Sequence, residues 1–178
     1  MDSLLSAHRT FDRDLRRLVS GIDSSDRSQI STDSVQVLIR PLYVLHSFEP
    51  ILATLDDLVQ SGSSHLIRDD SLRVGLSEFR RDLEGLDLAE EYAENYWSTE
   101  MVALFREDLV VRDLAAFEAR LGPSTFSTDF TALLGSREFE NRGVLRWALG
   151  LDLQTSATRV SSTVDLIIGR LDLLLPDQ

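Results

Sequence analysis

The sequence predicts an all-α protein, an antiparallel helical bundle with one long central helix and a long C-terminal helix. Three observations predict it. Apolar residues recur at alternating steps of three and four along several segments, the spacing of one helical face. The punctuation between segments is helix punctuation, at Gly21, Gly62 and Gly122-Pro123. No stretch alternates β-branched and polar residues over a strand length, so no sheet is expected. A chain of 178 residues suits one domain, and 1–178 reads as a single helical domain.

The first helix is expected from about Asp2 to Gly21. Leu4, His8, Phe11, Leu15, Leu18 and Ile22 form its seam, with Arg9, Asp12, Arg13, Arg16 and Arg17 opposite. Asp12 precedes Arg16 by one helical turn, a favourable pair. A second helix opens near Thr32 or Asp33. Its apolar residues Val35, Leu38, Ile39, Leu42, Tyr43 and Leu45 surround much of the helix, which places it centrally, and Pro41 kinks or splits it. Phe48-Glu49-Pro50 makes a corner, with Pro50 at a first helical position. A short helix follows, with Ile51, Leu55, Leu58 and Val59 on one side and Gly62 as its cap. Ser61 to Ile67 is a loop that drops Leu66 and Ile67 onto the core.

Asp69 or Asp70 caps the long helix. Leu72, Leu76, Phe79, Leu83 and Leu86 keep the spacing, and the seam then drifts to Ala89, Ala93, Tyr96 and Trp97. The helical pattern continues through Leu104, Phe105 and Leu109 to Leu121, with a break near Ser98-Thr99 as an open alternative. Ser124 to Leu134 is a loop plus a short helical turn. Ser136 caps the last helix, with Glu138 near its positive end. From Leu149 its seam runs through Leu153, Ala157, Val160, Val164, Ile167, Leu171 and Leu174, and Pro176 ends it.

Thirty acidic residues face eighteen basic ones, a formal net charge of -12. That field repels phosphate backbones and anionic lipid, so neither nucleic acid nor an acidic membrane surface is an expected partner. Every basic residue is arginine. Codon bias or salt adaptation would each produce that. Without cysteine there is no disulfide, thiol nucleophile or zinc–thiolate site. No apolar run spans a bilayer; Val35 to Phe48 is too short and is interrupted by Arg40, Pro41 and His46. No signal peptide is visible at Met1-Asp2-Ser3.

Catalytic patterns are missing. The histidines His8, His46 and His65 do not group as metal ligands. His8 lies on an apolar seam, and His46 precedes Glu49 in the reverse of the di-iron order. Without lysine, neither a phosphate-binding P-loop nor a Schiff base forms. Adjacent carboxylates such as Asp56-Asp57, Asp69-Asp70 and Glu90-Glu91 point apart on a helix and read as solvated faces; Glu90 and Glu94 share one. No cofactor and no metal is expected. The densest aromatic feature is Tyr92, Tyr96 and Trp97. It reads either as a plug where the seam drifts or as a patch for a partner or ligand.

Thr54, Leu58, Ser61-Gly62, Leu66-Ile67, Asp70, Leu72-Arg73 and Leu76 together resemble a motif of an uncharacterised bacterial family. Members carry a short N-terminal membrane helix and then an extracytoplasmic helical domain. Leu133-Leu134 through Glu138-Phe139-Glu140-Asn141 resembles the element that opens the last helix of that family. In such a motif Gly62 supplies a left-handed cap, Leu66 and Ile67 fill the core, Asp70 caps, and Arg73 bridges to acidic neighbours. Phe139 and Asn141 are the marks of the second piece. The resemblance implies fold and location, not activity. The family's membrane helix has no counterpart in these residues, so membrane association is expected only through a removed anchor or a partner.

The expected function is a non-enzymatic interaction domain, an accessory or scaffolding subunit of a membrane-associated assembly on the extracytoplasmic, periplasmic side. Its partners would be proteins, a membrane complex among them. The alternatives are a ligand-sensing bundle with a pocket near Tyr92, Tyr96 and Trp97, and a cytoplasmic location.

Overall fold

A computed structural model describes residues 47–48, 50–113, 120–122 and 124–175, with Ser6, Arg9, Thr10, 12–14, 16–17, Ile39 and Leu42 besides. Among them every regular element is helical and there is no strand. In chain order these are α1 (Ala53–Gln60), a 3-10 turn (Ser63–Leu66), α2 (Asp70–Tyr96), a π-helical turn (Trp97–Met101), α3 (Val102–Glu107), a second 3-10 turn (Val111–Asp113), α4 (Phe130–Leu134) and α5 (Arg137–Leu174). The two long helices, of 27 and 38 residues, form the frame. Asp69 meets Arg170, Asp82 meets Thr163, and Tyr96 meets Arg142. Rising positions on α2 face falling positions on α5, so the pair is antiparallel.

The seams read from the sequence close this pair. Leu83, Leu86 and Ala93 of α2 pack on Leu153, Ala157 and Val160 of α5, with Phe79, Ala89 and Leu149 at the edges. Alanines on both helices let the axes approach, and Thr163 donates to the Asp82 carboxylate at 2.7 Å within the interface. A second cluster gathers Ile39, Leu42, Met101, Leu104, Leu133, Leu134 and Phe139, with Phe105 and Trp147 packed against it. The change of phase between the clusters is made by the π turn. The Ser98 and Thr99 hydroxyls both donate to the Asn95 carbonyl, at 3.0 and 2.8 Å. At the end of the turn Val102 N–H donates to the Trp97 carbonyl, five residues back. The extra residue rotates the apolar face between the two clusters, whereas the drift through Ala89 and Ala93 lies before it, within α2.

Local signals hold in most places. Gly62 has φ 67°, the left-handed region. Ser136 Oγ accepts from Phe139 N–H at 3.1 Å, and Asp129 caps α4 through Ala132 N–H at 2.9 Å. Arg16 pairs with Asp12 at 3.0 Å.

Five expectations need correction. Pro50 is not a first helical residue: α1 starts at Ala53, and the first closed turn is Asp56 N–H to the Leu52 carbonyl at 2.8 Å. Phe48 N–H is held by the Glu90 carboxylate at 2.9 Å, and Pro50 and Ile51 bridge from that anchor to the helix. Ile51 is consequently 96% exposed and not on the apolar side of α1. Leu66 does not fill the core either. The left-handed Gly62 leads into a tight 3-10 turn, Ser63–Leu66, which leaves Leu66 68% exposed while Ile67 is half-buried. Of the two candidate caps of α2 the structure selects Asp69, which accepts from Leu72 N–H at 2.8 Å, and corrects only the motif's cap at Asp70, which is the first helical residue. Helix does not run unbroken from Leu104 to Leu121: it breaks after Glu107, where Val110 N–H donates to Thr128 Oγ1 at 2.8 Å, and Arg120 and Leu121 are helical again before the left-handed Gly122.

Other expectations lie outside the described residues. These are the seam at Leu4, His8, Phe11, Leu15, Leu18 and Ile22, most of the second helix with Pro41 and His46, Glu49, the stretch 114–119, Pro123 and Pro176.

Candidate functional site

The aromatic trio divides by depth. Tyr92 is 59% exposed. Tyr96 is half-buried and its hydroxyl donates to the Arg142 carbonyl at 3.1 Å, while burial and the nearby Glu100 charge raise its pKa. Trp97 turns inward against the second cluster, and its indole N–H is buried without an acceptor among the described residues. A groove of about 820 Å³ lies beside Tyr92 and Tyr96, with Thr99, Glu138, Asn141 and Arg142 in its lining. Thus Asn141 joins the two tyrosines, whereas Trp97 does not line the groove and Phe139 is fully buried beneath it. The depth difference predicts unequal substitutions. Tyr92→Ala should leave stability within about 0.5 kcal/mol, while Tyr96→Phe, which loses a half-buried hydrogen bond, should cost about 1 kcal/mol. Urea unfolding of both variants measures this, and equal costs would contradict the assigned depths.

Two arginines that the sequence reading passes over stand behind this groove. Arg142 and Arg146 are buried, Arg146 at 2% exposure. Arg142 Nη2 pairs with Glu138 at 2.8 Å, Nη1 lies 3.6 Å from Asp108, and Nε lies 3.9 Å from Glu100. Burial pulls the Arg146 pKa down to about 10. On the periphery Trp147 Nε1 donates to Asp12 at 2.7 Å, with the Arg16 guanidinium 5.4 Å from its ring centroid. The signal for these arginines is phase. Stepping backward from Leu153 by helical turns passes Gly150, Arg146, Arg142 and Phe139, all buried.

At the opposite end of the frame the motif residues Gly62, Leu66, Ile67, Asp70, Leu72 and Arg73 come together. Arg73 Nη1 donates to the Ile67 carbonyl at 2.9 Å and its other nitrogen pairs with Asp70, which ties the loop to the start of α2. Asp69 receives Leu72 N–H and also Arg170, whose Nε lies 3.0 Å from both carboxylate oxygens. One carboxylate therefore caps α2 and clamps α5. The Arg170 hydrogen bond and then the Leu72 N–H lower the Asp69 pKa from 3.8 to about 2. A lowered carboxylate pKa means that the unfolded chain takes up the proton first. The stabilisation is therefore complete above about pH 4 and is lost as pH falls through about 2. Asp69→Asn keeps a capping oxygen but removes the charge. Melting curves of wild type and Asp69→Asn should converge across that window; a constant gap down to pH 2 would be the contrary result.

Beside this clamp lies an apolar cleft of about 710 Å³. Its walls are Leu55 and Leu58 of α1 and Val164 and Ile168 of α5, over a floor of Leu76 and Phe79 from α2. Three segments distant in sequence build it, so no local pattern announces it. Among the described residues no group of three or more His, Asp or Glu is placed to hold a metal ion, and no helix is long and apolar enough to cross a membrane.

Comparison of the chain with protein-family models, curated proteins and solved structures returns no match.

Proposed function

We propose that the chain is a non-enzymatic helical interaction domain, an accessory or scaffolding subunit of a membrane-associated bacterial assembly on the extracytoplasmic side. One observation carries the interaction reading. The end of the frame formed by the start of α2 and the finish of α5 leaves Ile168 51% exposed in the apolar cleft, and Val74, Leu166 and Leu173 between 56% and 73% exposed along a second groove that shares Ile167 with it. Scattered surface aliphatics are ordinary, but exposed aliphatics lining two adjoining grooves mark a surface that another molecule covers. The shifted ionisable groups support an architectural role: Asp69 and Arg170 clamp helices, and the Tyr96 hydroxyl is engaged with α5. The extracytoplasmic, membrane-associated placement rests on the likeness over 51–76 and 133–141.

The test is co-purification of the tagged chain from native membranes after crosslinking, with hydroxyl-radical footprinting of Leu166 and Leu173 before and after. Defined partners with protection of those residues are expected. Recovery of the chain alone, with both residues equally reactive throughout, would count against the reading.

A second reading, a ligand-sensing bundle, draws on the groove at Tyr92, Asn141 and Arg142. A small molecule that seats there raises the melting temperature, and Tyr92→Ala should abolish the rise.

A further inference from the structure

We propose that the apolar cleft between α1 and α5 receives an amphipathic helix from another protein, one whose aliphatic stripe is flanked by arginine or lysine. The proposal rests on the interaction-domain reading and adds the chemistry of the partner.

The shape argues for a helix. Leu55 and Leu58 stand one turn apart on one wall, and Val164 and Ile168 one turn apart on the other. Each wall is thus a ridge of a helix, and a furrow between two such ridges accepts side chains spaced by three and four residues. An extended segment would bring backbone groups that need partners, and no strand edge among the described residues supplies them. The cleft is open to solvent along one side rather than enclosed. A small apolar molecule would leave much of its surface wet there, whereas a helix keeps its polar face in water.

The charge argues for a basic flank. Asp57 is in the described lining, and no arginine is. Asp172 follows Ile168 by one turn on the same face of α5. Neither aspartate has an ion-pair partner among the described residues. Three nearby arginines are already engaged: Arg73 with Asp70, Arg80 near Asp56 and Glu84, and Arg170 with Asp69. A second copy of this chain brings the same net charge of -12 and is repelled. An anionic lipid surface is repelled for the same reason. A partner with cations beside its stripe gains steering and rim pairs instead.

The experiment uses the full chain and three fluorescein-labelled peptides of about 15 residues, long enough to hold a helix once docked. All share leucines at i, i+3, i+4 and i+7. One has arginine flanks, one has glutamate flanks, and one is the arginine peptide broken by a central proline. Anisotropy titrations are run on wild type, Ile168→Asp and Asp57→Arg. Both substituted positions are exposed, and circular dichroism checks each fold; if Ile168→Asp does not fold, Leu58→Asp replaces it.

The arginine peptide should bind about tenfold or more tightly than the other two, a difference near 1.4 kcal/mol. Ile168→Asp should weaken it by a similar factor, and Asp57→Arg should shrink the preference over the glutamate peptide. Equal affinity for both flanks, affinity unmoved by Ile168→Asp, or no binding by any peptide overturns the proposal. So does concentration-dependent dimerisation, or vesicle binding, that Ile168→Asp abolishes. Crosslinked co-purification with wild type and Ile168→Asp separates the two levels. Partners retained by both proteins sink the helix proposal alone, and partners found with neither sink the interaction-domain reading beneath it.

Discussion

Replacing Phe139 by alanine is expected to cost about 3–5 kcal/mol, the largest loss among single substitutions in the described residues. Phe139 is 1% exposed, and the cluster around it draws Ile39, Leu42, Met101, Leu104, Leu133 and Leu134 from separate segments. Truncation removes the transfer free energy of the ring and leaves a hole bounded by residues that cannot all move inward together. Phe139 also sits on the first turn of α5, where its N–H is fixed by Ser136 Oγ at 3.1 Å, so the backbone resists collapse into the space. For a chain of this size each kcal/mol lowers the melting temperature by about 2–4 °C, so a fall of roughly 10 °C is expected. Phe139→Leu should recover much of the loss. Phe126, 76% exposed, is the internal control, and Phe126→Ala should stay within about 0.5 kcal/mol. Equal shifts of the urea midpoint in the two alanine variants would show that the cluster does not have the assigned centre.

Phe139 also illustrates what the sequence makes legible. A cap is a local event: Ser136 finds its N–H three residues away, and Gly62 needs only its own φ, so both can be read from neighbours in the chain. The seam Leu83, Leu86, Leu153, Ala157 and Val160 is legible because burial on one helical face leaves a period. The failures have a common physical origin in distance along the chain. The break after Glu107 depends on a threonine hydroxyl eighteen residues beyond the N–H that it accepts. The start of α1 depends on a carboxylate forty-two residues beyond the amide that it holds. Ile51 and Leu66 look like core residues because hydrophobicity states a preference and not an outcome; once the core is filled, the remaining apolar residues stay at the surface. The cleft has no local signature at all. Leu55, Phe79 and Ile168 become neighbours only after α2 and α5 have paired.

The buried arginines were hidden for a different reason. A charged residue read by polarity goes to the outer face, yet the helical phase of Arg142 and Arg146 puts them inside, beside two buried glycines, Gly143 and Gly150. Where polarity and phase disagree, phase wins here, because a 38-residue helix cannot rotate one segment outward without carrying the rest of its seam with it. The same conflict is visible in the partners. Glu100, Asp108 and Glu138 are about half or more exposed, and each leans toward a guanidinium that is not.

That arrangement sets the second large expectation. Arg142→Ala should destabilise the fold by about 2–3 kcal/mol, at or below the lower edge of the range for breaking a buried ion pair. The discount follows from exposure: the orphaned carboxylates can be rehydrated, so they do not suffer the full penalty of a buried, unpaired charge. What remains is the lost packing of a long side chain and the mutual repulsion of three acids drawn toward one point. Salt should expose the second part. At about 1 M the screening length falls to about 3 Å, so the repulsion in the variant relaxes and its deficit against wild type narrows. Arg142→Lys should recover only part, since a single ammonium cannot reach three carboxylates in a fork. The same measurement separates the two readings of the groove. A cation held for an external ligand is a local liability in the free protein, and its replacement by methionine would then raise the melting temperature. A cation that organises the turn after α2, the end of α3 and the start of α5 is part of the frame, and Arg142→Met should lower it. Loss of stability in all three variants, with the salt-dependent narrowing, is the result that assigns Arg142 to architecture.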